Sequence, residues 1–333
     1  MPVDGGASPS PIDRPVPRSG GRPVRHVALL LGGAIFVMWA VATLTFFAIR
    51  LIPGDPAQAI LGGPGSQASQ EALDQVRRDY GLDQPLLVQY LAMLGRLLTG
   101  DLGSSYALKV PVAELLGAQI GGTLLLAVCS LALAWVLALA LAIWSTGRGR
   151  IAAALGQGIE LVAAALPHFF LAAVLIAVFS SGLGWLPPVS TGTPAGFVLP
   201  VVTLAVPLAG FLAQVMRESL LEAMRQPFVM SARARGESAL GVRLRHTLRH
   251  AALPGISLSG WALGWLLSGA VVVETIFAMP GLGRTLLQAV TLRDIPVVTG
   301  VVLLVAFVYV VMTVVTDLAM RVADPRLAVE ASR

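Results

Sequence analysis

The chain of 333 residues carries a net charge of +5, yet only 12% of its residues are charged and 56% are hydrophobic. Soluble domains average about 25% charged residues, so this composition excludes an ordinary soluble protein and indicates a lipid environment. The positive charge does not indicate nucleic-acid binding, because the aromatic residues lie in apolar runs rather than among the basic residues.

Cysteine and lysine counts restrict the chemistry further. Cys129 is the only cysteine, so the chain can form neither an intrachain disulfide nor a cysteine-based metal site. Lys109, the only lysine, follows Leu108, whereas a phosphate-binding Walker loop needs Gly-Lys followed by Ser or Thr. We therefore expect no cofactor on this chain, and ATP-driven work would require another subunit to hydrolyse the nucleotide.

The N-terminal region divides into a polar tail and an apolar anchor. Residues 1–26 contain six prolines, four glycines and four arginines, a composition typical of a disordered tail. The apolar run 27–48 is too long for a signal-peptide core and is not followed by a small-residue cleavage site. We predict that this run is an uncleaved first transmembrane helix.

A long loop, about 50–119, completes the unit 27–120 and is predicted to contain two helices. Ser69 is predicted to cap the first helix and Gly81 to end it, and Pro85 is predicted to begin the second. Their apolar faces would comprise Ala72, Leu73, Val76 and Tyr80 in the first helix, and Leu87, Tyr90, Leu91, Leu94 and Leu98 in the second. These helices either cap the membrane bundle or contact a soluble partner.

Five further apolar runs reach the length of about 20 residues that a helix needs to cross about 30 Å of hydrocarbon. They cover residues 121–144, 159–179, 197–216, 256–279 and 296–318. Pro167, Pro200 and Pro207 fall within them and are tolerated where neighbouring helices satisfy the freed carbonyls. The predicted fold class is an all-α polytopic membrane protein with six transmembrane helices, five of which form a core over residues 121–326.

The distribution of basic residues predicts the orientation. With the N-terminus inside, 16 of the 23 Lys and Arg residues fall on the cytoplasmic side. Five of the other seven lie in the long loop between the first two helices, which the positive-inside rule largely exempts. We therefore predict that both termini are cytoplasmic, including the tail 327–333, that the long loop is external, and that residues 217–254 form a cytoplasmic loop.

Ionisable groups near the bilayer midplane would indicate a membrane enzyme or a proton-coupled carrier, because each costs about 2.5–3.5 kcal/mol to insert. At about 1.5 Å per residue, Glu160 is predicted at the inner start of the third helix and Asp317 at the inner end of the sixth. Glu274 is predicted near the outer end of the fifth helix. Only His168 is expected at mid-depth, either as a neutral, hydrogen-bonded core histidine or as part of a polar translocation path.

An intramembrane hydrolase or protease is the alternative function. Such an enzyme needs a nucleophile at the depth of its base, but Ser257 and Ser259 are predicted at the inner start of the fifth helix, well below His168. The sequence around them, GISLSG, does not match Gly-x-Ser-x-Gly. No catalytic residue is therefore predicted.

His246 and His250 are spaced four residues apart, as metal ligands on one helical face would be. Arginines 245 and 249 flank them, and the sequence places no carboxylate within reach. We interpret this pair as part of a solvated basic face, and we predict no metal site.

The segment 231–254 concentrates five arginines and two histidines. Gln226 and Pro227 are a helix-start signal and Gly236 is a stop signal, which predicts a short helix over residues 228–235. Its apolar contacts would come from Phe228, Met230 and Ala232, and its charge from Arg233 and Arg235. This helix either docks into a groove of a partner protein or contains arginines that only enforce the membrane topology.

The sequence ARARG at 232–236, with Pro254 eighteen residues after the glycine, resembles the EAA loop of ABC-transporter permeases. The glutamate that names this motif is absent, since Ala232, Arg233 and Ala234 occupy the matching positions, a departure usual in the dipeptide/oligopeptide/nickel branch of the family. Further matching motifs are LIPGDPA at 51–57, YGLDQPLLVQYLAML at 80–94, TGDLGSSY at 99–106, VVETIFAMPGLG at 272–283 and DPR at 324–326.

The resemblance implies a type I ABC importer permease in the bacterial cytoplasmic (inner) membrane. This chain would be a non-catalytic half of a pore for dipeptides, longer peptides, nickel or metal chelates, or glutathione-like solutes. A second homologous permease would complete the pore, two cytoplasmic ATPase subunits would hold ATP and Mg²⁺, and an extracytoplasmic binding protein would deliver the substrate.

The resemblance also implies which residues carry these roles. The coupling helix gripped by the ATPases would involve Phe228, Ala232, Arg233, Ala234, Arg235, Gly236 and Glu237. Glu274 and the turn at Pro280 and Gly281 would lie near the outer gate, with Glu274 either structural or in contact with substrate. His168 stands where the branch more often has a small polar residue, so it would tune the substrate path.

Overall fold

The computed structural model describes residues 22–51, 54–62, 67–147 and 149–323, and within these ranges the regular structure is helical, apart from one isolated bridge between Ser104 and Pro111. Five of the described helices are long and apolar enough to cross a bilayer. They are α1 (Arg22–Leu51), α5 (Val112–Ser145), α8 (Pro194–Ala223), α11 (Leu248–Ile276) and α13 (Ile295–Ala323).

The predicted third span is not a continuous helix. It consists of α6 (Gly149–Ala165) and α7 (His168–Leu175), and α7 continues as a π-helical segment (Ile176–Gly182). The helix axis bends by 103° between α6 and α7. Pro167 causes the break, because it lacks an N–H and disfavours helical backbone in the residue before it. The number of spans is six if this bent pair crosses the membrane as one unit.

Several predicted boundaries differ from the structure. The first helix begins at Arg22 rather than residue 27, and α5 begins nine residues before the predicted start of the second helix. Because α6 begins at Gly149, Glu160 lies in the interior of that helix, and the prediction that it occupies the first turn is wrong. The rest of the predicted N-terminal tail, the C-terminal tail, the DPR motif and residues 52–53 of the LIPGDPA motif lie outside the described residues.

The segment between α1 and α5 contains α2 (Pro56–Ile60), α3 (Gln70–Asp79) and α4 (Leu86–Leu98). Ser69 caps α3 as predicted, since its hydroxyl oxygen accepts a hydrogen bond from the backbone N–H of Ala72 at 3.2 Å. Gly81 follows α3 with a φ of +63°, which suits a residue without a side chain. Pro85 is the N-cap of α4 rather than its first residue.

The α4 helix packs on α1 and α13 with a face that only partly matches the prediction. Its buried side is centred on Met93, with Tyr90, Leu94 and Leu97, against Ala42 and Phe46 of α1 and Leu303 of α13. The other predicted members of the apolar stripe, Leu87, Leu91 and Leu98, are 67%, 57% and 90% exposed and take no part in this packing. Periodicity cannot separate two adjacent apolar stripes when a helix is hydrophobic on most of its circumference.

Two aromatic side chains of this segment contact each other beyond the membrane-spanning helices. The rings of Tyr80 and Tyr106 meet edge to face with centroids 4.7 Å apart, and Lys109 donates a hydrogen bond to the Tyr80 hydroxyl at 2.6 Å. Burial raises the pKa of the Tyr106 phenol, so this hydroxyl stays neutral at physiological pH. These contacts link the end of α3 to the chain that leads into α5.

The central helix of the bundle is α8, which packs against α5, α6, α7 and α11. Pro200 and Pro207 lie within it without breaking it, as predicted. Gly210 allows the backbones of α8 and α6 to touch, because a Cβ there would lie 2.5 Å from the Ala164 nitrogen and 2.7 Å from the Glu160 carbonyl oxygen. In lipid, helix association gains no hydrophobic driving force, so small residues stabilise such crossings by allowing close van der Waals packing.

Short helices lie at the two ends of the bundle. At one end, α12 (Leu282–Thr291) joins α11 to α13 close to the segment that contains α2, α3 and α4. At the opposite end, α9 (Pro227–Ala234) and α10 (Ala239–Val242) join α8 to α11, and a π-helical segment (Arg243–Thr247) leads into α11. Much of the predicted loop 217–254 is therefore helical.

Gly210→Ala should destabilise the bundle by about 1–3 kcal/mol, because the added methyl group must push apart two helix backbones. Gly158→Ala on α6 is the matched control, since a Cβ there meets no atom within 4 Å. Thermal unfolding of both variants in detergent measures the difference. An equal melting temperature for Gly210→Ala and the control would contradict the close α6–α8 contact.

Candidate functional site

The helix α9, which the sequence predicts to dock to a partner protein, has well-defined ends. Pro227 occupies the first helical position after Gln226, where its missing N–H leaves no partner unsatisfied. Gly236 follows the helix with a φ of +82°, and its N–H donates to the Arg233 carbonyl oxygen at 2.9 Å. The start and stop signals in the sequence are thus confirmed.

The two faces of α9 differ in exposure. Val229 and Ala232 are buried and pack against Val242 of α10. The opposite face is open and exposes Phe228, Met230, Arg233, Ala234 and Arg235. The prediction that Ala232 offers apolar contact to a partner is wrong, because its methyl group supports α9 from within the chain.

Glu237 holds the turn after α9. One of its carboxylate oxygens lies 2.7 Å from Nε2 of His246, and the other lies 3.7 Å from the guanidinium of Arg245. The expectation that no carboxylate reaches His246 is therefore wrong, since the chain folds back after α10. The ring of His250 instead stacks on Phe228 with centroids 5.5 Å apart, so the two histidines do not share a site. Within the described ranges, no group of three or more His, Cys, Asp or Glu residues is arranged to hold a metal ion.

An open groove borders α9 at its end of the bundle. The Phe228 and His250 rings form part of its wall, together with residues from the ends of α8 and α11 and Met320 of α13. Ser219 of α8 donates a hydrogen bond to the His250 carbonyl oxygen at 3.1 Å, which ties the two long helices together beside the groove. The groove therefore lies between the docking candidate α9 and the membrane core.

Two arginines anchor the half of the bundle that lies nearer α9. Arg243 donates to the carbonyl oxygen of Ile143 at 3.3 Å, near the C-terminus of α5, where a positive charge is favourable. Arg217 of α8 forms an ion pair with Glu160 of α6 at 2.9 Å, and the carboxylate is fully buried. A buried carboxylate of this kind requires a partner, so the Arg217–Glu160 pair fixes α6 against α8.

At the end of the bundle that carries α12, the Glu274 carboxylate is fully buried between three helices. It accepts hydrogen bonds from the Thr123 hydroxyl at 2.6 Å and from the backbone N–H of Arg284 at 3.0 Å. Because Arg284 lies in the first turn of α12, the carboxylate neutralises free N–H groups at that helix terminus. This is the structural, hydrogen-bonded role of Glu274 that the sequence left open.

Pro280 and Gly281 form the corner beside this carboxylate. A Cβ at Gly281 would overlap the Glu274 side chain, and a Cβ at Gly122 of α5 would lie 2.9 Å from the Pro280 carbonyl oxygen. The Thr123 hydroxyl also accepts a hydrogen bond from the Leu282 N–H at 2.8 Å. The corner is therefore tightly packed on α5, and it has no room for a larger residue.

His168 begins α7 directly after the break at Pro167. Its ring lies 4.6 Å from the ring of Trp265 and covers Gly269 of α11. The Nε2 atom is buried and has no hydrogen-bond partner among the described residues, so the expected hydrogen-bonded core histidine is not observed at this nitrogen. Ser259 is bonded elsewhere, because it donates to the Gly255 carbonyl oxygen, and no described serine approaches Nε2 as a nucleophile would.

Asp294 is a structural residue that the sequence reasoning missed. It is buried, and its carboxylate accepts hydrogen bonds from the Ser105 hydroxyl at 2.5 Å and from the backbone N–H groups of Ala107 and Val297. It thereby caps α13 and fixes the end of the segment between α1 and α5 to that helix. The signal was present, because an aspartate two residues before a proline, as in Asp294-Ile295-Pro296, is typical of a helix start.

Comparison with protein families identifies the class to which these features belong. Residues 134–329 match the family described as binding-protein-dependent transport system inner membrane component, and residues 24–120 match the N-terminal region of such components. The chain belongs to this family of ABC-transporter permeases of the bacterial inner membrane.

Similar proteins narrow the class to the peptide branch. The chain is 35% identical to the glutathione transport system permease protein GsiC of Salmonella typhimurium, over 91% of this chain and 99% of the relative. It is 36% identical to a putative peptide transport system permease protein of Brucella abortus, over 88% and 96% of the two chains.

A solved structure agrees with the fold. The inward-facing MetNI methionine ABC transporter matches with a TM-score of 0.53 and 19% identity, over 63% of this chain and 97% of that chain. The similarity supports the helical importer-permease fold, and the intramembrane protease alternative has no support among the comparisons.

Glu274→Gln should lower the free energy of unfolding by about 1–3 kcal/mol, because an amide cannot serve as a charged acceptor for the Thr123 hydroxyl and the first turn of α12. Glu71→Gln, on an exposed position of α3, is the control. Thermal unfolding in detergent, together with hydrogen exchange of the α12 amides, measures the loss. Unchanged protection of these amides in folded Glu274→Gln protein would contradict the capping role.

Proposed function

We propose that this chain forms one half of the translocation pore of an ATP-driven importer for peptides or related small solutes. The names of its relatives, which describe peptide and glutathione transport, support this substrate class. The observation that carries the proposal is α9, a short helix held on the chain by one face and open on the other at the inner end of the bundle.

The proposed assembly contains a second homologous permease and two cytoplasmic ATPase subunits that hold ATP and Mg²⁺. An extracytoplasmic binding protein delivers the solute, and this chain itself catalyses no reaction. The sequence supports this division of labour, because the only lysine cannot belong to a Walker loop. Both termini and α9 are cytoplasmic in the proposal, in accord with the count of basic residues.

The open face of α9 is the proposed contact with the ATPase. Phe228 and Met230 provide apolar surface there, and Arg233 and Arg235 provide charge, a combination suited to a helix that docks in a groove. Three further residues support this surface. Ala232 packs against α10, Gly236 ends the helix, and Glu237 holds the turn that follows.

Glu274, Pro280 and Gly281 are proposed as a rigid corner of the outer gate. The burial of the Glu274 carboxylate supports a role in holding α12 rather than direct contact with substrate. Movement at the gate would then displace α12 as a unit with the end of α11.

Arg233→Glu should abolish most ATP-driven uptake by the assembled transporter, because it reverses a charge on the surface proposed to contact the ATPase. Gly236→Pro should act similarly, since proline cannot adopt the positive φ that the end of α9 requires. Uptake by membrane vesicles and co-purification of the ATPase subunits measure both effects.

Arg150→Glu is the matched control, because Arg150 is also exposed at the inner end but lies at the start of α6. Its uptake should remain close to that of the unaltered protein. Fully coupled uptake by folded Arg233→Glu and Gly236→Pro proteins would overturn the docking role of α9.

A further inference from the structure

One face of α11 remains open along the length of the helix. The other faces are occupied, since Gly260 and Gly264 allow close contact with α13 and Gly269 allows contact with α7 and α8. The open face consists of residues spaced three or four apart, as one side of a helix requires. Its members are Ser257, Trp261, Trp265, Ser268, Val272 and Thr275, all exposed except the half-buried Trp265.

The composition of this open face differs from that of the uncovered face of α5. On α5, the large exposed side chains are aliphatic: Leu125, Val128, Val136 and Leu137. On α11, three of six residues carry hydroxyl groups, two are tryptophans and none is charged. Lipid chains favour the aliphatic face and provide no partners for the serine hydroxyl and indole groups of α11. The Thr275 hydroxyl has a partner within the helix, since it donates to the Val271 carbonyl oxygen at 2.7 Å.

The two indole N–H groups on α11 have no acceptor among the residues that the structure describes. Trp39 and Trp135 donate to the hydroxyl groups of Tyr90 and Ser259, but no described residue accepts from Trp261 or Trp265. Tryptophans of membrane proteins usually reach polar groups at the bilayer surface. Trp265 lies eleven residues before the end of α11, about 16 Å along the helix, and is therefore too deep for that role.

Aromatic rings continue from α11 onto the neighbouring helices. The ring of Trp261 lies 5.2 Å from that of Phe211 on α8 and 6.5 Å from that of Trp265, which in turn lies 4.6 Å from His168 on α7. Four rings from three helices thus form a row beside the open face. Such a row offers planar surfaces and N–H donors at the depth where α7 begins.

We propose that the open face of α11 is the wall of the translocation path, and that Trp261 and Trp265 contact the transported solute. The indole rings stack on planar amide groups, and their N–H groups donate to amide carbonyl oxygens. Because the face carries no charge, it recognises the amide groups of a peptide-like solute rather than the charge of its side chains. This inference rests on the proposed transport function and identifies the solute-contacting residues of this subunit.

Water accessibility tests the placement of this wall. In a Cys129→Ser background, Ser268→Cys lies on the open face and Val128→Cys is the control on the aliphatic face of α5. The assembled transporter in membrane vesicles is treated with a charged methanethiosulfonate reagent, which requires a hydrated thiolate. We expect Ser268→Cys to react at least about tenfold faster than Val128→Cys and to be protected by a transported peptide; labelling in denaturant provides the common reference.

Equal and slow reaction of the two cysteines in the native transporter would overturn the inference, because it would mean that lipid or a dry contact with the second permease covers α11. A second measurement uses Trp265→Ala, which should raise KM for uptake of an uncharged peptide about 2- to 10-fold. Trp135→Phe, whose indole bonds within the chain, should leave KM unchanged. An unchanged KM in the Trp265→Ala variant would contradict the proposed contact between Trp265 and the solute.

Different results would contradict the transport function and the assignment of the α11 wall. Absence of ATP-driven peptide uptake by the unaltered complex would contradict the proposed function. Intact uptake combined with an unreactive Ser268→Cys would contradict only the assignment of the α11 wall.

Discussion

Close backbone packing is the constraint on which the helix bundle depends. In lipid, apolar side chains gain little from helix association, so contacts must come from shape and internal hydrogen bonds. Gly210 brings α8 against α6, and Gly260 brings α11 against α13. These glycines fix the rotation of the central helices, and that rotation decides which face of α11 remains open. The positions without side chains therefore determine the functional surface as much as the exposed residues do.

Charged groups secure the two ends of the bundle by different means. At the end that carries α12, the carboxylates of Glu274 and Asp294 cap α12 and α13, where free N–H groups attract negative charge. Toward the end that carries α9, Arg243 bonds near the C-terminus of α5, and the Arg217–Glu160 pair links α6 to α8. Each charge is thus placed where a helix terminus or an opposite charge offsets its burial. The membrane core between the ends can remain uncharged and available for passage of solute.

The sequence was sufficient to predict the helical membrane fold, the family and the ends of α9, because these depend on apolar length and local start and stop signals. The break at Pro167 was not predictable, since Pro200 and Pro207 in α8 are tolerated with the same local chemistry. The choice between a kinked helix and a broken one depends on packing against α8. For the same reason, the burial of Ala232 and the open face of α11 required the rotation of each helix to be known.

The continuity of α10, the π-helical segment and α11 has a mechanical consequence. Residues Ala239–Ile276 form one helical element of 38 residues, which begins beside α9 and ends at the Glu274 cap. At about 1.5 Å per residue, such an element is nearly 60 Å long. It contains the π-helical segment and Pro254, and helices commonly bend at such positions. In the proposed assembly, a push from the ATPase subunits on α9 would reach the Glu274 cap through this element. Movements at the α9 end and at the α12 end would then be displacements of the same continuous helix.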